Sequence, residues 1–157
     1  MIRATSVRFA SVRRRSRAQA MVEFALVAPM FFLLLFGIIE AGRFIFYYET
    51  LNNATREGAR YAIVNGANTL GCPSGPPAPG STPCDVPGEN VKQRVRQSAV
   101  GVGGTITVTP TWGGTPPNNG RGSTVTVVAT ATYRTLVPLV PLPPITVTAE
   151  SSLVVNN

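Results

Sequence analysis

Residues 24–39 read FALVAPMFFLLLFGII, sixteen positions without a charge. As a helix this run is about 24 Å long. Carried back to Ala18 it reaches 22 residues interrupted only by Glu23, about 33 Å against a hydrocarbon core of about 30 Å. The stretch therefore predicts a membrane-crossing helix. A cleaved secretory signal is the competing reading, and it needs a small-x-small site after the apolar run. The run gives way instead to Glu40-Ala41-Gly42-Arg43, and the one clean small-x-small triplet, Ala18-Gln19-Ala20, precedes it. A retained anchor fits better.

Toward the N-terminus the run meets a block of cations. The formal charge of the 157-residue chain is +7, and Arg3, Arg8, Arg13, Arg14, Arg15 and Arg17 carry most of it. The remainder is nearly neutral, so the basicity belongs to a leader. Basic clusters serve nucleic acid or membranes. The apolar run directly after the leader decides for the membrane and against nucleic acid, with Arg13, Arg14, Arg15 and Arg17 holding the N-terminus on the cytoplasmic side.

Two residues inside the run stand out. A carboxylate such as Glu23 costs about 2.5–3.5 kcal/mol at the middle of a membrane helix and less near its end. It is either a functional group or the marker of the helix start, facing headgroups and favoured by the helix dipole. Pro29 removes one backbone donor and predicts a bend, which membrane helices tolerate.

Toward the C-terminus the helical pattern continues. Phe44, Tyr47, Tyr48, Leu51, Thr55, Gly58 and Ala62 keep i, i+3, i+4 spacing, so one helix is expected from about Gln19 to Val64. Glu57 and Arg60 are spaced to pair. The cluster Phe44–Tyr48 suits either a headgroup interface or a core. Residues 66–88 carry six prolines and five glycines and predict a loop. A short amphipathic helix is expected over 89–100, with Val91, Val95 and Ala99 on one stripe and Lys92, Arg94 and Arg96 as a solvated face. Three segments, 105–112, 124–133 and 145–155, alternate apolar residues with Thr, Ser or Glu, the signature of a sheet with one dry and one wet face. The long helix is the expected cover for the dry face. Residues 136–144, LVPLVPLPP, read as a crossing loop or a partner surface.

The chemistry of a catalytic centre is missing. There is no His, no phosphate-binding Gly-rich loop and no nucleophile elbow. Asp85 and Glu89 stand four apart, but in a stretch expected to be flexible, and a carboxylate pair needs fixed spacing. No enzyme activity, metal or cofactor is expected. Cys72 and Cys84 can form a disulfide in an exported domain, stabilising by about 3 kcal/mol, or remain free thiols.

The string Arg17-Ala18-Gln19-Ala20-Met21-Val22-Glu23-Phe24-Ala25-Leu26-Val27-Ala28-Pro29, with Phe36-Gly37-Ile38-Ile39-Glu40-Ala41-Gly42-Arg43 and Asn52-Asn53-Ala54-Thr55-Arg56-Glu57-Gly58-Ala59-Arg60-Tyr61-Ala62, resembles the TadE-like proteins of tight-adherence (Flp-type) pilus assembly. The likeness covers residues 17–62 and continues beyond them only in style. It implies a bacterial inner-membrane protein of α+β class, with a long N-terminal transmembrane helix and a small periplasmic, pilin-like domain of three or four antiparallel strands. The expected divisions are a cytoplasmic leader at 1–18, the span at 19–42, its periplasmic continuation at 43–66, the Pro/Gly loop at 67–88, and the short helix with the sheet at 89–157. The resemblance also implies a prepilin peptidase cut between Ala18 and Gln19, with Ala18 standing where many such substrates have Gly. Glu23 and Phe24 then become assembly residues. The new ammonium at Gln19 would attract Glu23 of a neighbouring subunit, an interaction strong in low dielectric. The implied partners are other pilin-like subunits, the pilus secretion platform and the peptidase. The rival expectation is a permanently anchored domain whose Thr-rich sheet face holds cell-wall glycan or a protein.

Overall fold

A computed structural model describes residues 12–136 and 143–156. The expectation for 136–144 falls largely outside these residues, as do the first eleven positions and the side chains of Arg13, Arg14 and Arg15. The chain divides into two compact units, Met1–Glu40 and Ala41–Asn157.

Helix α1 spans Val12–Val64, with Pro29 inside it. It begins seven residues ahead of the expected helix start at Gln19. Arg, Ala and Gln are strong helix formers, and nothing between Val12 and Ala20 breaks the pattern. The helix stops at Asn65, whose backbone and side-chain N–H groups both donate to the carbonyl of Tyr61, at 3.0 and 2.9 Å. A turn follows, in which the Thr69 N–H donates to the Gly66 carbonyl at 3.2 Å.

In the first unit the helix is exposed nearly all round. Met21, Phe24, Leu26, Met30, Phe31, Leu33 and Leu34 all face outward.

In the second unit, α1 carries one buried stripe of Tyr47, Leu51, Ala54, Thr55, Ala59 and Ala62. Tyr48, expected on that stripe, is exposed. It stands one position from Tyr47, about 100° away around the helix, and only Tyr47 points inward. Gly58 lets the second helix come close, since a Cβ there would run into the Val95 side chain and lie 3.7 Å from Val127.

Helix α2 (Glu89–Ser98) buries Val91 and Val95 against this stripe. Strands β1 (Ile106–Trp112), β2 (Thr124–Tyr133) and β3 (Ile145–Val154) form an antiparallel sheet in the order β1-β2-β3. Ala129, at the centre, is paired with Val108 on one side and Ala149 on the other. The dry face of Val108, Trp112, Val125, Val127, Ala129, Ala131, Tyr133, Val147 and Ala149 shares one core with both helices. The small side chains of β2 and β3 leave room for the helix to approach. Ile145, expected on the dry face, is exposed. It pairs with Tyr133 at the end of the ladder, where the cover runs out. On the other face Thr107, Thr109, Thr111, Thr146 and Thr148 are exposed, and the Thr126 hydroxyl donates to Ser152 across β2 and β3 at 3.1 Å.

Candidate functional site

The apolar helix is the first candidate. Among the described residues one helix is long and apolar enough to cross a membrane, and none of its apolar window is buried. A helix that is apolar on every side, and whose apolar window is left unburied by the described residues, fits membrane anchoring. Glu23 is the one acid between Val12 and Ile39, and it is exposed within this run. Phe24 beside it is also exposed. The bond between Ala18 and Gln19 lies inside α1, so a protease must unwind this end before it can reach it. Arg17 sits on the same helix, exposed.

Residues 18–60 match the family described as TadE-like protein. This segment is similar to that family. No curated protein and no solved structure matches the chain. The TadE-like match ends one turn before the end of α1 and includes the buried stripe from Tyr47 to Ala59, so the likeness covers both the outward-facing run and the part that anchors the sheet domain.

The stretch between α1 and α2 is the second candidate, and its disposition differs from the expected flexible loop. Cys72 and Cys84 are joined by a disulfide with Cα atoms 5.4 Å apart. Close by, Ser74 and Asp85 form an isolated parallel bridge. The Asp85 carboxylate accepts the backbone N–H groups of Glu89 and Asn90 at 2.7 and 2.8 Å, and the Ser74 hydroxyl at 3.3 Å. Asp85 thus stabilises the N-terminus of α2, while the backbone N-cap, Gly88, has φ 66° and offers no side chain. The Asp85–Glu89 spacing sets the Asp85 carboxylate over the first backbone N–H groups of α2.

Asn119, fully buried, ties the same stretch to the turn between β1 and β2. Its side chain donates to the Ser74 carbonyl at 3.1 Å and accepts from the Ala78 N–H at 3.1 Å. Its backbone N–H donates to Pro76 at 2.8 Å, and its carbonyl accepts from Ala67 at 3.1 Å. Gly75 and Gly88 lie flat against the Trp112 indole, where a Cβ on either would collide with the ring. The indole N–H is buried without a partner among the described residues. Nothing in the one-letter pattern flagged Asn119 or Trp112 beyond a turn and a strand end, because their roles depend on contacts with residues far away in the chain.

The ionic face of α2 is paired rather than simply solvated. Glu89 takes Lys92 at 3.2 Å and Arg96 at 3.0 Å, and these hydrogen bonds hold its carboxyl below the usual range. Arg94 reaches Glu57 on α1 at 2.8 Å. Glu57 therefore takes Arg94 of the facing helix, and the pairing expected with Arg60 gives way to it. The guanidinium offers two N–H groups to one carboxylate oxygen and links the two helices. Among the described residues no group of three His, Cys, Asp or Glu side chains could hold a metal ion.

The aromatic cluster divides in two. Phe44 and Tyr47 stack edge-on against Tyr133, each with ring centroids 5.3 Å apart, while Ile45, Phe46 and Tyr48 face outward. The core reading holds for Phe44 and Tyr47, while the other three side chains are left open to the surroundings.

Proposed function

We propose that this protein is a non-enzymatic, pilin-like subunit or assembly factor of a tight-adherence pilus. Its N-terminus lies in the cytoplasm, the run around residues 19–42 lies in the inner membrane, and the sheet domain lies in the periplasm. The observation that carries the reading is the TadE-like helix itself, apolar all round, uncovered, and interrupted by a single carboxylate. In this reading a prepilin peptidase cuts between Ala18 and Gln19. The resulting ammonium pairs with Glu23 of the next subunit and sets the register of helices entering a bundle, because either charge alone is costly to bury.

Two measurements test it. Sequencing the N-terminus of the mature protein from membrane and sheared-pilus fractions is expected to give a start at Gln19. Glu23→Ala is expected to insert normally but to abolish pilus formation; normal piliation by that variant removes the assembly role. The rival reading, a permanently anchored binding domain, draws support from the open rows of threonine on the sheet. It requires an intact leader and normal pili when those threonines are replaced by alanine.

A further inference from the structure

The second unit contains a cavity of about 570 Å³ between the start of its helical segment, the C-terminal end of β2 and the loop after α2. Its lining includes Arg43, Tyr47, Tyr133 and Arg134, with Gly101 and Gly104 on the loop side. We propose that this cavity binds the phosphate of an anionic phospholipid headgroup.

Four observations lead there. Among the described residues two guanidinium groups line the cavity and no carboxylate does. Glu40 precedes Arg43 by one helical turn, where the two can pair, and the local balance of these three groups stays at one positive charge. The Arg43 guanidinium stands over the Tyr133 ring, 5.6 Å from its centroid, and Tyr133 is itself buried. The cation is thus held by a fixed surface, and guanidinium is the side chain best matched to phosphate geometry. The loop wall is mostly glycine, with Thr105 as its one side chain among the described lining residues. Gly101 and Gly104 both have φ 86°, and a Cβ at Gly103 would meet nothing within 4 Å.

The fourth observation separates a lipid from free phosphate. Arg43 is the fourth residue after the uncharged run ends at Ile39. Just beyond it, Ile45 and Phe46 are 60% and 59% exposed. A bare anion has no use for that collar. Acyl chains do, and aromatic residues with arginine at a helix end are the usual residues of the bilayer interface. The proposal rests on the membrane anchoring proposed above and adds a ligand to it.

The test uses the full chain reconstituted in phosphatidylcholine vesicles with a minority of phosphatidylglycerol, solubilised gently, and the retained lipid identified by native mass spectrometry. Phosphatidylglycerol is expected to be enriched over phosphatidylcholine. Arg43→Gln and Arg134→Gln are each expected to lower the enrichment about fivefold, the worth of one cation near an anionic surface. Arg134→Lys is expected to keep most of it, and Arg121→Gln, on the β1–β2 turn, to leave it unchanged. An unaltered circular dichroism spectrum and an intact disulfide establish that the variants fold. Equal enrichment in both glutamine variants, or complete displacement of the lipid by inorganic phosphate, overturns the proposal. Release of the wild-type chain from vesicles by carbonate overturns the anchoring and this site with it, whereas a chain that stays embedded without the preference overturns this site alone.

Discussion

The hydroxyl of Tyr47 donates to the carbonyl of Thr132, 85 positions away in the chain, at 3.1 Å. The same hydroxyl lies 3.2 Å from the Gly103 carbonyl, so one phenol fastens the helix to the end of β2 and to the loop after α2. Tyr47→Phe keeps the ring against Tyr133 and removes this link. A loss of about 1 kcal/mol is expected, read as a lower midpoint in chemical denaturation of the detergent-solubilised chain.

The phenol also gives the domain an alkaline limit. Burial pushes the Tyr47 ionisation above its ordinary value. The neutral form is the one favoured by the fold, so its contribution is complete below the unfolded value of about 10 and declines as pH rises from there through the folded value. Denaturation midpoints measured up the alkaline range are expected to fall more steeply for the wild type than for Tyr47→Phe. Parallel curves would show that Tyr47 is not the titrating group.

Gly58→Ala sets two effects against each other. Alanine gains about 1 kcal/mol of helix propensity. The new methyl meets the Val95 side chain, which is fully buried and β-branched, so it cannot rotate away cheaply. Overpacking of this kind costs about 1–3 kcal/mol, and net destabilisation is expected. A midpoint above wild type would mean that the two helices separate without cost.

Asp85→Ala removes the acceptor for two backbone N–H groups at the head of α2 and for Ser74. Capping losses are about 0.5–2 kcal/mol, and the buried position of Asp85 places the expectation in the upper half of that span. Hydrogen exchange is the direct measurement. The amides of Glu89 and Asn90 are expected to lose protection while those of β2 keep it.

Replacing both Cys72 and Cys84 by serine is expected to cost about 3 kcal/mol by the chain-entropy argument, or less where the Asn119 and Asp85 hydrogen bonds keep the stretch closed. Comparing the oxidised wild type with the double variant in the same detergent measures it. A loss of the full ~3 kcal/mol would mean that those hydrogen bonds form only once the disulfide has closed the loop.

Much of the fold could be read from period alone. The strands were legible because threonine alternates with valine or alanine on each of them, and a two-residue period admits one buried face. The outward-facing run was legible because sixteen uncharged residues in a row leave few other uses. The relationships that escaped were those set by distant partners. Tyr47 and Tyr48 are chemically alike and both fit a loose helical stripe, and only the position of Tyr133 decides between them. Glu57 had a plausible neighbour in Arg60, but Arg94 lies 37 positions on and is brought to it by the packing of Val91 and Val95. The Pro/Gly stretch looked structureless because its order comes from a buried asparagine and a carboxylate, not from periodicity. Among the candidate site residues, Glu23 could be singled out by the rarity of a charge in an apolar run and Phe24 only through the family resemblance, whereas the cavity beside Arg43 depends on three segments meeting.

Asn119 precedes a glycine, the sequence context in which an asparagine amide is attacked most readily by the next backbone nitrogen, closing a succinimide that opens to aspartate or isoaspartate. In the folded chain that chemistry is blocked at both ends. The Asn119 amide is held by Ser74 and Ala78, and the Gly120 nitrogen donates to the Asn118 side chain at 2.9 Å. Once the turn opens, both restraints vanish together. Each deamidated Asn119 therefore records time that a molecule spent unfolded, and an aspartate in its place would put a charge where the native turn has room only for a neutral amide.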